Sequence, residues 1–451
     1  MTDRRRASAA VAVLRVVHRQ PGIERAAAAR RLAMTSGLIT ETVARLTCLD
    51  LLSEHPAPRT GARGRPTTTL DPHPRGPLTV AVAIGHETWQ VAVAQLGGME
   101  LGRSESPHGR DPDEVLGVLA AHLRSLRKRH GTRIRSVAVS VPGTVADNRL
   151  AQAANLGWND VDLSVLWPRD RGARPFLVGN DATFSAVAEA RRGSAAGAAS
   201  TAHLFMGAGL GGAFIEDGRL VLGATGTAGE FGHMPFGDPA QPCRCGARGC
   251  WNTAVEGAAI ARLLGQPPPG DEVSYSRQVF AAAQASLAPG APPRAELDAV
   301  QAVARSVGTG AAGLANALDP GVITLGGLGR DLLEIAGDQL YPAYLAGLMQ
   351  FRRPAPPPLL PARFGDEGPL VGATEEAFSA ILTDEGLRAW SAARRRFLCR
   401  LVAGARAGAA PALPNQCGVR VSNSATSPGF MTKSCSPSRS RSRPDSTYIH
   451  S

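Results

Sequence analysis

The sequence predicts a two-lobed α/β protein that follows a small N-terminal helical domain and precedes a basic, disordered tail. Between residues 78 and 327, short β-rich runs alternate with Ala-rich runs of helical composition, which is typical of an α/β chain whose lobes enclose a cleft. Three short helical patterns come before this region, and a Pro/Ser/Arg-rich segment comes after it. At 451 residues the chain exceeds one ordinary core. We therefore divide it into residues 1–74, 75–190, 191–384 and 385–451.

The first of these domains contains three predicted helices with helix-turn-helix spacing. Residues 8–19 place apolar side chains on one face, and Pro21 ends that pattern. A second helix covers residues 24–32. Thr35 is a plausible N-cap for a third helix over residues 36–49, because its hydroxyl can accept a hydrogen bond from the first helical turn.

The third helix and the segment after it carry the residues that would meet DNA. Ile39, Val43 and Leu46 face inward, which leaves the opposite face of the helix to solvent. Residues 51–54 read as a strand, and residues 63–70 read as a basic wing that leads into another. A helix fits the major groove, while arginines on a wing reach phosphates or the minor groove. The candidate DNA-binding residues are Thr35, Ser36, Thr40, Glu41, Arg45, Arg63 and Arg65. The alternative is a small helical packing domain.

The positive charge of the chain is concentrated at its two ends. The formal net charge is +11. Residues 1–74 carry 12 basic and 6 acidic side chains, whereas residues 75–385 carry 26 and 31. Residues 386–451 carry 11 basic side chains and 1 acidic one. Residues 386–410 could form a basic, Ala/Arg-rich helix, whereas the Pro/Ser/Arg-rich composition of residues 411–451 cannot bury a core and predicts disorder. Only the ends are therefore candidates for contact with nucleic acid, and for the tail the alternative is a solvated segment without a dedicated role.

One histidine and three cysteines have the spacing of a metal site. His233, Cys243, Cys245 and Cys250 form the pattern His-x9-Cys-x-Cys-x4-Cys, which supplies four ligands for tetrahedral Zn²⁺. Glycines between the cysteines allow the tight turns that wrap several thiolates around one ion. A set of four protein ligands indicates a closed structural site and not a catalytic one. The alternative is three reduced thiols in a loop.

The remaining cysteines point to a reducing compartment. Cys48, Cys399, Cys417 and Cys435 show no spacing of a disulfide framework. The sequence also contains no run of about 18 uncharged apolar residues, as a membrane-spanning helix requires. We therefore expect a cytoplasmic protein without a membrane partner.

The metal motif is also where the chain resembles a known family. Residues 229–233, Gly-Glu-Phe-Gly-His, followed by Cys-x-Cys-Gly-x-x-Gly-Cys, resemble the signature of the ROK family, named for repressor, open reading frame and kinase. The resemblance extends from about residue 8 to about residue 383. It implies a winged helix-turn-helix followed by a two-lobed actin-like, ribonuclease-H-like sugar-kinase fold. Three departures affect the DNA-reading part: Ala33 replaces the turn glycine, Glu24 replaces the serine that opens the second helix, and Glu41 stands where the family often has a base-reading residue.

The resemblance also implies a sugar site in the cleft. Carboxylates and amides suit a sugar because each can bind two neighbouring hydroxyls. The imidazole of His233 would use one nitrogen for zinc and the other for a hydroxyl. Taken alone, Asn180-Asp181 before an Ala-rich helix is more often an N-cap, and Asn252 replaces a glutamate of the family. The implied sugar-binding residues are Asn155, Asn180, Asp181, Glu230, His233 and Asn252.

The residues that would hold ATP phosphates depart from the kinase pattern. ROK kinases carry Asp-x-Gly-Gly-Thr in the first hairpin, where residues 83–87 read Ala-Ile-Gly-His-Glu. The carboxylate that orients Mg²⁺ is thus a methyl group, and Glu87 would repel a triphosphate. Ala208 also replaces the threonine of the second phosphate loop.

These patterns predict a sugar-responsive DNA-binding transcriptional regulator, not an enzyme, with Zn²⁺ as its cofactor. The family analogy favours a repressor over an activator. The expected partners are operator DNA and a small-molecule sugar or sugar derivative, and the expected assembly is a homo-oligomer, either dimer or tetramer. The alternative is an ATP-dependent sugar kinase in which Asp181 would be the general base.

Overall fold

The alternation of β-rich and Ala-rich sequence folds into two lobes, each built on a five-stranded mixed sheet. The computed structural model describes residues 3–57, 68–153, 156–167, 174–224, 226–290, 292 and 294–405, with the backbone alone at residues 3–7 and 395–405. All of these residues belong to one compact unit, Met1–Ala410. In the described part of the chain, no helix combines the length and the apolar character needed to cross a membrane.

The N-terminal unit packs three helices on a small antiparallel sheet whose strand order is β1-β3-β2. Its elements are α1 (Asp3–Arg19), β1 (Ile23–Glu24), α2 (Arg25–Arg31), α3 (Ser36–Cys48), β2 (Leu52–Pro56) and β3 (Thr68–Pro72). The Thr35 hydroxyl caps α3 by accepting a hydrogen bond of 3.3 Å from the Leu38 amide, as the sequence predicts. Ile39, Val43 and Leu46 are buried, which confirms the inward face of α3.

The turn between α2 and α3 requires a left-handed residue. The Ala33 amide bonds to the Arg30 carbonyl and the Met34 amide to the Ala29 carbonyl, which is the hydrogen-bond pattern of a Schellman motif. This motif places Ala33 at φ +49°, a region that glycine adopts without cost and alanine does not. The departure noted in the sequence, alanine where the family has glycine, is therefore a point of backbone strain.

The first lobe surrounds a sheet of strand order β11-β7-β4-β5-β6. Its elements are β4 (Leu78–Ile84), β5 (Thr88–Gln95), β6 (Glu100–Pro107), α4 (Pro112–His130), β7 (Ile134–Val141), β8 (Thr144–Ala146), β9 (Arg149–Ala153), β10 (Trp158–Asp162), β11 (Phe176–Asn180) and α5 (Asp181–Arg192). Valines such as Val80 and Val82 pack in a core with α4. Ala81 belongs to a separate cluster, whose small side chains allow helices to approach the opposite face closely.

The second lobe has strand order β14-β13-β12-β15-β16, with β12 and β15 parallel and β12 and β13 antiparallel. Its elements are β12 (Ser200–Met206), β13 (Leu210–Glu216), β14 (Arg219–Leu220), α6 (Asn252–Val255), α7 (Gly257–Leu263), α8 (Glu272–Ala285), α9 (Ala295–Leu318), β15 (Val322–Gly327), α10 (Leu328–Gly347) and β16 (Leu359–Pro361). The strands predicted from β-rich runs are confirmed at these positions. Two lobes with a cleft between them are thus the observed architecture.

The last two helices return the chain to earlier parts of the fold. Helix α11 (Gly368–Ile381) packs against the first lobe, where Ala373 and Ala377 lie against Ala81 and Ala138. Helix α12 (Asp384–Ala405) follows it. Within the predicted tail of residues 385–451, the sequence allows a basic helix over residues 386–410, and α12 occupies that range as far as residue 405, so the tail is not disordered there. Residues 406–451, which make up the rest of the predicted tail, lie outside the described residues.

Two apolar side chains, Leu387 and Trp390, hold the start of α12 in the core. Trp390 and Leu387 are each 4% exposed and share a core with α1 and α3. The Trp390 indole nitrogen donates a hydrogen bond of 2.8 Å to the Leu49 carbonyl, which lies at the end of α3. The basic composition of the tail conceals these two apolar anchors. The start of α12 is consequently part of the core of the N-terminal unit.

Replacement of Ala33 by glycine should stabilise the protein. Glycine adopts φ +49° without the steric cost of a Cβ atom, and we expect the free energy of unfolding to rise by about 0.5–1 kcal/mol. Chemical denaturation of the purified variant measures this change. The matched control is Ala44→Gly on the exposed face of α3, where glycine should lower stability by about 1 kcal/mol. An equal loss of stability in both variants would contradict the strained turn.

Candidate functional site

A cavity of about 720 Å³ opens between the two lobes and extends to helix α1. One end, which we call the cleft end, is lined by Gly143, Thr144, Asn180, Gly229 and Glu230. The other end, which we call the α1 end, is lined by Arg15, His18, Arg19, Arg191, Glu375 and Glu376. Helix α5 contributes to both ends, since Asn180 precedes it and Arg191 lies in its last turn. The cavity therefore joins the predicted sugar cleft to the N-terminal unit.

Asn180 lies in the wall of the cleft end and also caps helix α5. Its Oδ1 accepts hydrogen bonds from the Ala182 and Thr183 amides, at 2.9 and 3.2 Å. Its Nδ2 donates to the Gly143 carbonyl at 3.0 Å. These bonds hold the loop after β7 against the start of α5.

Asp181 is the first residue of α5 and has a perturbed acidity. Burial raises the pKa of its carboxyl group, although hydrogen bonds from the Ala182 amide and from Asn180 act in the opposite direction. A carboxylate of raised pKa accepts a proton more readily than an ordinary aspartate. Asp181 stands beside Asn180, but it is not among the residues that line the cavity.

Glu230 and His233 link the cavity to the cysteine cluster. Both lie at the short helical turn after Gly229, and Glu230 lines the cleft end. The His233 Nε2 atom lies 3.9 Å from Glu230 Oε2, whereas His233 Nδ1 lies 3.7 Å from the Cys243 sulfur. The imidazole therefore stands between the cysteines and the cavity carboxylate.

The four predicted metal ligands converge. The ligand atoms of His233, Cys243, Cys245 and Cys250 all lie within 4.8 Å of one another. The Cys245 and Cys250 sulfurs are 3.6 Å apart. Ligand atoms in a tetrahedral site with Zn–S distances of about 2.3 Å are about 3.5–3.8 Å apart, so this group fits such an ion. Burial raises the pKa of Cys250 to about 12.

The other two implied sugar residues have different outcomes. Asn252 Oδ1 accepts a hydrogen bond of 2.6 Å from the Leu210 amide, at the start of β13. This bond holds the glycine-rich loop of residues 207–212, and Asn252 is not among the residues that line the cavity. Asn155 lies outside the described residues.

A buried polar cluster forms part of the α1 end, and sequence reasoning did not identify its members as a site. His18 is 4% exposed, and its Nδ1 accepts a hydrogen bond of 2.9 Å from the Gly97 amide. The imidazole proton therefore resides on Nε2, which donates to Glu375 at 3.2 Å. Arg192 also bonds to Glu375 and donates to the His18 carbonyl at 3.0 Å. The one signal in the sequence was that Arg15 and His18 interrupt an apolar run.

The pKa of Glu375 reflects these partners. Burial opposes its ionisation, but the hydrogen bond from His18 and the charge of Arg192 outweigh burial and lower the pKa to about 2. Glu375 is thus a carboxylate at neutral pH. It joins α1, α5 and α11.

The turn that would bind ATP phosphates is bonded across the cleft. His86 Nε2 lies 3.1 Å from Asp271 Oδ2. The Ser274 hydroxyl shares its proton between Asp271 Oδ2 at 3.0 Å and Glu87 Oε1 at 3.3 Å. Asp271 caps helix α8 of the second lobe, and Ser274 lies in the first turn of that helix. The residues that replace the kinase pattern therefore connect the two lobes.

Helix α3 exposes the predicted DNA-binding residues that lie in its first turn and on its outer face. Thr40, Glu41 and Arg45 lie on the face opposite the buried Ile39 and Val43. Thr35 and Ser36 are exposed at the start of the helix. Arg63 and Arg65 lie outside the described residues.

Comparisons with known proteins point to one family. A profile of the ROK family matches residues 79–377. The glucokinase of Halalkalibacterium halodurans is 28% identical over 268 residues, which are 55% of this chain and 79% of that protein. The xylose repressor of Caldicellulosiruptor bescii is 28% identical over 235 residues, which are 48% of this chain and 57% of that protein.

The fold also matches solved structures. The crystal structure of a ROK family transcriptional regulator, a homolog of the E. coli MLC protein, aligns with a TM-score of 0.67 at 23% identity. The alignment covers 86% of this chain and 99% of that one. The two lobes therefore have the ROK actin-like sugar-kinase fold, as the sequence predicts.

The cysteine cluster predicts a measurable metal content. We expect the purified protein to carry about one equivalent of a divalent metal ion per chain, because four converging donors bind such an ion tightly. Cys245→Ser should remove most of it, which elemental analysis of the dialysed protein measures. Cys48→Ser, on α3 of the N-terminal unit, is the matched control and should retain the metal. Wild-type protein purified under reducing conditions without metal would end this prediction.

Proposed function

The chain belongs to the ROK family, and from that premise we propose that it is a sugar-responsive, DNA-binding transcriptional repressor without kinase activity. The observation that carries this proposal is the bonding of the His86-Glu87 turn to helix α8 across the cleft. Phosphoryl transfer requires this turn to bind phosphates and to place Mg²⁺. Here it contributes an imidazole and a carboxylate that are engaged by the opposite lobe.

Three separate features oppose nucleotide binding. Ala83 supplies no carboxylate for Mg²⁺, and Ala208 supplies no hydroxyl for a phosphate. Glu87 is exposed at the position that a triphosphate would approach. Each of these is a local change. Together they leave phosphoryl transfer without a carboxylate for Mg²⁺, without a hydroxyl donor for a phosphate and without an uncharged surface for the triphosphate.

The N-terminal unit suits DNA recognition as a winged helix-turn-helix. Helix α3 is capped by Thr35, buried along one face and exposed along the other, as a major-groove helix must be. Thr40 and Arg45 are available there for base edges and phosphates, while Glu41 would repel phosphates and restrict where the helix docks. A ROK family transcriptional regulator is also the protein whose crystal structure aligns over 86% of this chain, which supports this role.

The cleft end of the cavity is the proposed sugar site. Asn180 and Glu230 line the cavity, Asp181 follows Asn180 in the sequence, and His233 Nε2 lies 3.9 Å from Glu230 Oε2. The metal proposed for the cluster is Zn²⁺, since three thiolates and one imidazole are its preferred ligands. Zinc would fix the His233 ring and thereby orient Glu230 toward a hydroxyl.

A sugar in this cavity could influence DNA binding through helix α1. The cavity extends from Asn180 to His18, and His18 belongs to the helix that shares a core with α3. Closure of the lobes on a sugar would therefore change the position of α1 and weaken operator binding. The cytoplasm, where operator DNA and reduced cysteines are both found, is the proposed location.

We propose a homodimer as the DNA-binding form. Tyr341 and Leu345 lie one turn apart on α10 and are 43% and 39% exposed, and Phe351 nearby in sequence is 73% exposed. An apolar face of this kind suits a two-fold interface between copies of the chain. A dimer would present two α3 helices to two half-sites.

The regulator proposal predicts a salt-dependent, sequence-specific complex with the promoter region of its own gene. In gel-shift titrations, Arg45→Ala and Arg65→Ala should each weaken binding about tenfold, because each removes a cation from the DNA-facing surface. The shifted complex should contain two chains. A panel of free sugars and sugar phosphates, added to the same titration, identifies the effector as the compound that releases the DNA.

The control separates recognition from general attraction to polyanions. Arg124→Ala removes the same charge from the exposed side of α4 in the first lobe and should leave the shift unchanged. Excess unrelated DNA should not displace the complex. Complete displacement by unrelated DNA would leave a sugar-binding protein without operator recognition.

The competing function, an ATP-dependent sugar kinase, is favoured by the glucokinase relatives and by the raised pKa of Asp181. Our expectation is no sugar-dependent ATP consumption above background in a coupled assay, with the Halalkalibacterium halodurans glucokinase as positive control. Asp181→Asn should change the sugar concentration that releases DNA, since the carboxylate stands beside the proposed sugar site. Sugar phosphate formation that Asp181→Asn abolishes would reverse the assignment.

A further inference from the structure

The α1 end of the cavity is rich in arginine and has no part in the proposed sugar site. Arg15 and Arg19 project from α1, and Arg191 lies in the last turn of α5. Arg191 is 11 positions beyond Asn180, and a helix rises about 1.5 Å per residue, so the two ends are roughly 16 Å apart. A single sugar ring held at the cleft end would not reach this far.

Several N–H groups of the guanidinium groups at this end do not donate a hydrogen bond to the described residues. Arg191 uses Nη2 for Glu376, but its Nη1 is buried and has no hydrogen-bond partner among the described residues. Arg15 uses Nε for the Leu382 carbonyl. In the part of the chain that the structure describes, Arg19 has neither a hydrogen bond nor an ion pair. Arg19 is exposed, whereas the buried Arg191 Nη1 without a partner costs free energy, which a ligand acceptor would recover.

The positive charge here exceeds the acidic charge that could neutralise it. Glu375 is already engaged by His18 and Arg192, and Glu376 is engaged by Arg191. The pKa of Arg19 is lowered by burial and then by repulsion from Arg191, Arg31 and Arg15, with Glu375 as the opposing charge. An anion would relieve this repulsion.

We propose that the α1 end is a binding site for the phosphate group of a small molecule, held by Arg19 and Arg191. The planar guanidinium fork matches a phosphate with two parallel hydrogen bonds. The proposal deepens the proposed function, on which its regulatory meaning rests, because the bound anion would contact α1 directly. The anion is either carried by an effector of two or more sugar rings or supplied by a separate metabolite.

The test is calorimetric titration of the full chain at constant ionic strength with three probes: inorganic phosphate, trehalose and trehalose 6-phosphate. We expect inorganic phosphate, trehalose 6-phosphate or both to bind. In Arg19→Gln the affinity for that probe should fall about tenfold or more, because a charge-assisted hydrogen bond is lost. Arg191→Lys keeps the charge that faces Glu376 but removes the fork, and it should also weaken binding. Arg124→Gln on α4 is the matched control and should bind as the wild type does.

Each outcome decides the proposal. Binding of inorganic phosphate alone, weakened by both variants, assigns the site to a separate metabolite. Binding of trehalose 6-phosphate without binding of phosphate alone, again weakened by both, assigns the anion to the effector. Wild-type affinity in Arg19→Gln and Arg191→Lys, an equal loss in Arg124→Gln, or no binding of either phosphate probe overturns it.

The two proposals can fail separately. Loss of operator recognition in gel shifts would reject the regulator while the phosphate titrations still reported on Arg19 and Arg191. Conversely, a sugar-responsive gel shift together with unchanged titrations in both variants would reject the anion site alone.

Discussion

The buried ionised Glu375 is the interaction on which the arrangement of the molecule depends. A carboxylate removed from water is costly unless it is paired and hydrogen-bonded, and its partners come from two other helices: His18 from α1 and Arg192 from α5. Its pKa of about 2 shows that these partners outweigh burial. Because removal of one partner would leave an uncompensated charge, the three helices are constrained to keep their positions relative to one another.

Helix α5 transmits that constraint through the lobes. Its N-terminal end is capped by Asn180 in the wall of the cleft, and its C-terminal end carries the arginines that meet α1 and α11. In its middle, the Ser185 hydroxyl is bonded to His203 of the second lobe, whose other nitrogen is bonded to Thr324. Burial lowers the pKa of His203 to about 3, so this link is made by a neutral imidazole. A movement of one lobe relative to the other would therefore displace α5 and the arginines that contact α1.

The two sides of the cleft differ in what their residues contact. At the turn of residues 83–87, His86 and Glu87 are bonded to helix α8 of the opposite lobe. At the cleft end, a cavity of about 720 Å³ is present, and Asn180 and Glu230 line it. A fold that kinases use to bring two substrates together thus has one side occupied by its own residues and the other available to a ligand. Exchange of a few side chains is enough for this difference, since the backbone fold is shared.

The sequence by itself determined the features that depend on spacing within one segment. The histidine-cysteine cluster, the cap and buried face of α3, most strands of the two five-stranded sheets and the departures from the kinase phosphate pattern are all visible in short windows, because helices, strands and cysteine-rich loops have fixed local periods. Tertiary structure alone decided the rest. His18 and Glu375 meet across 357 positions, Trp390 reaches back to Leu49, and Asn252 turns its oxygen to the Leu210 amide. No local pattern encodes these contacts, because they arise only when packing brings distant polar groups together out of water, where each must find a partner.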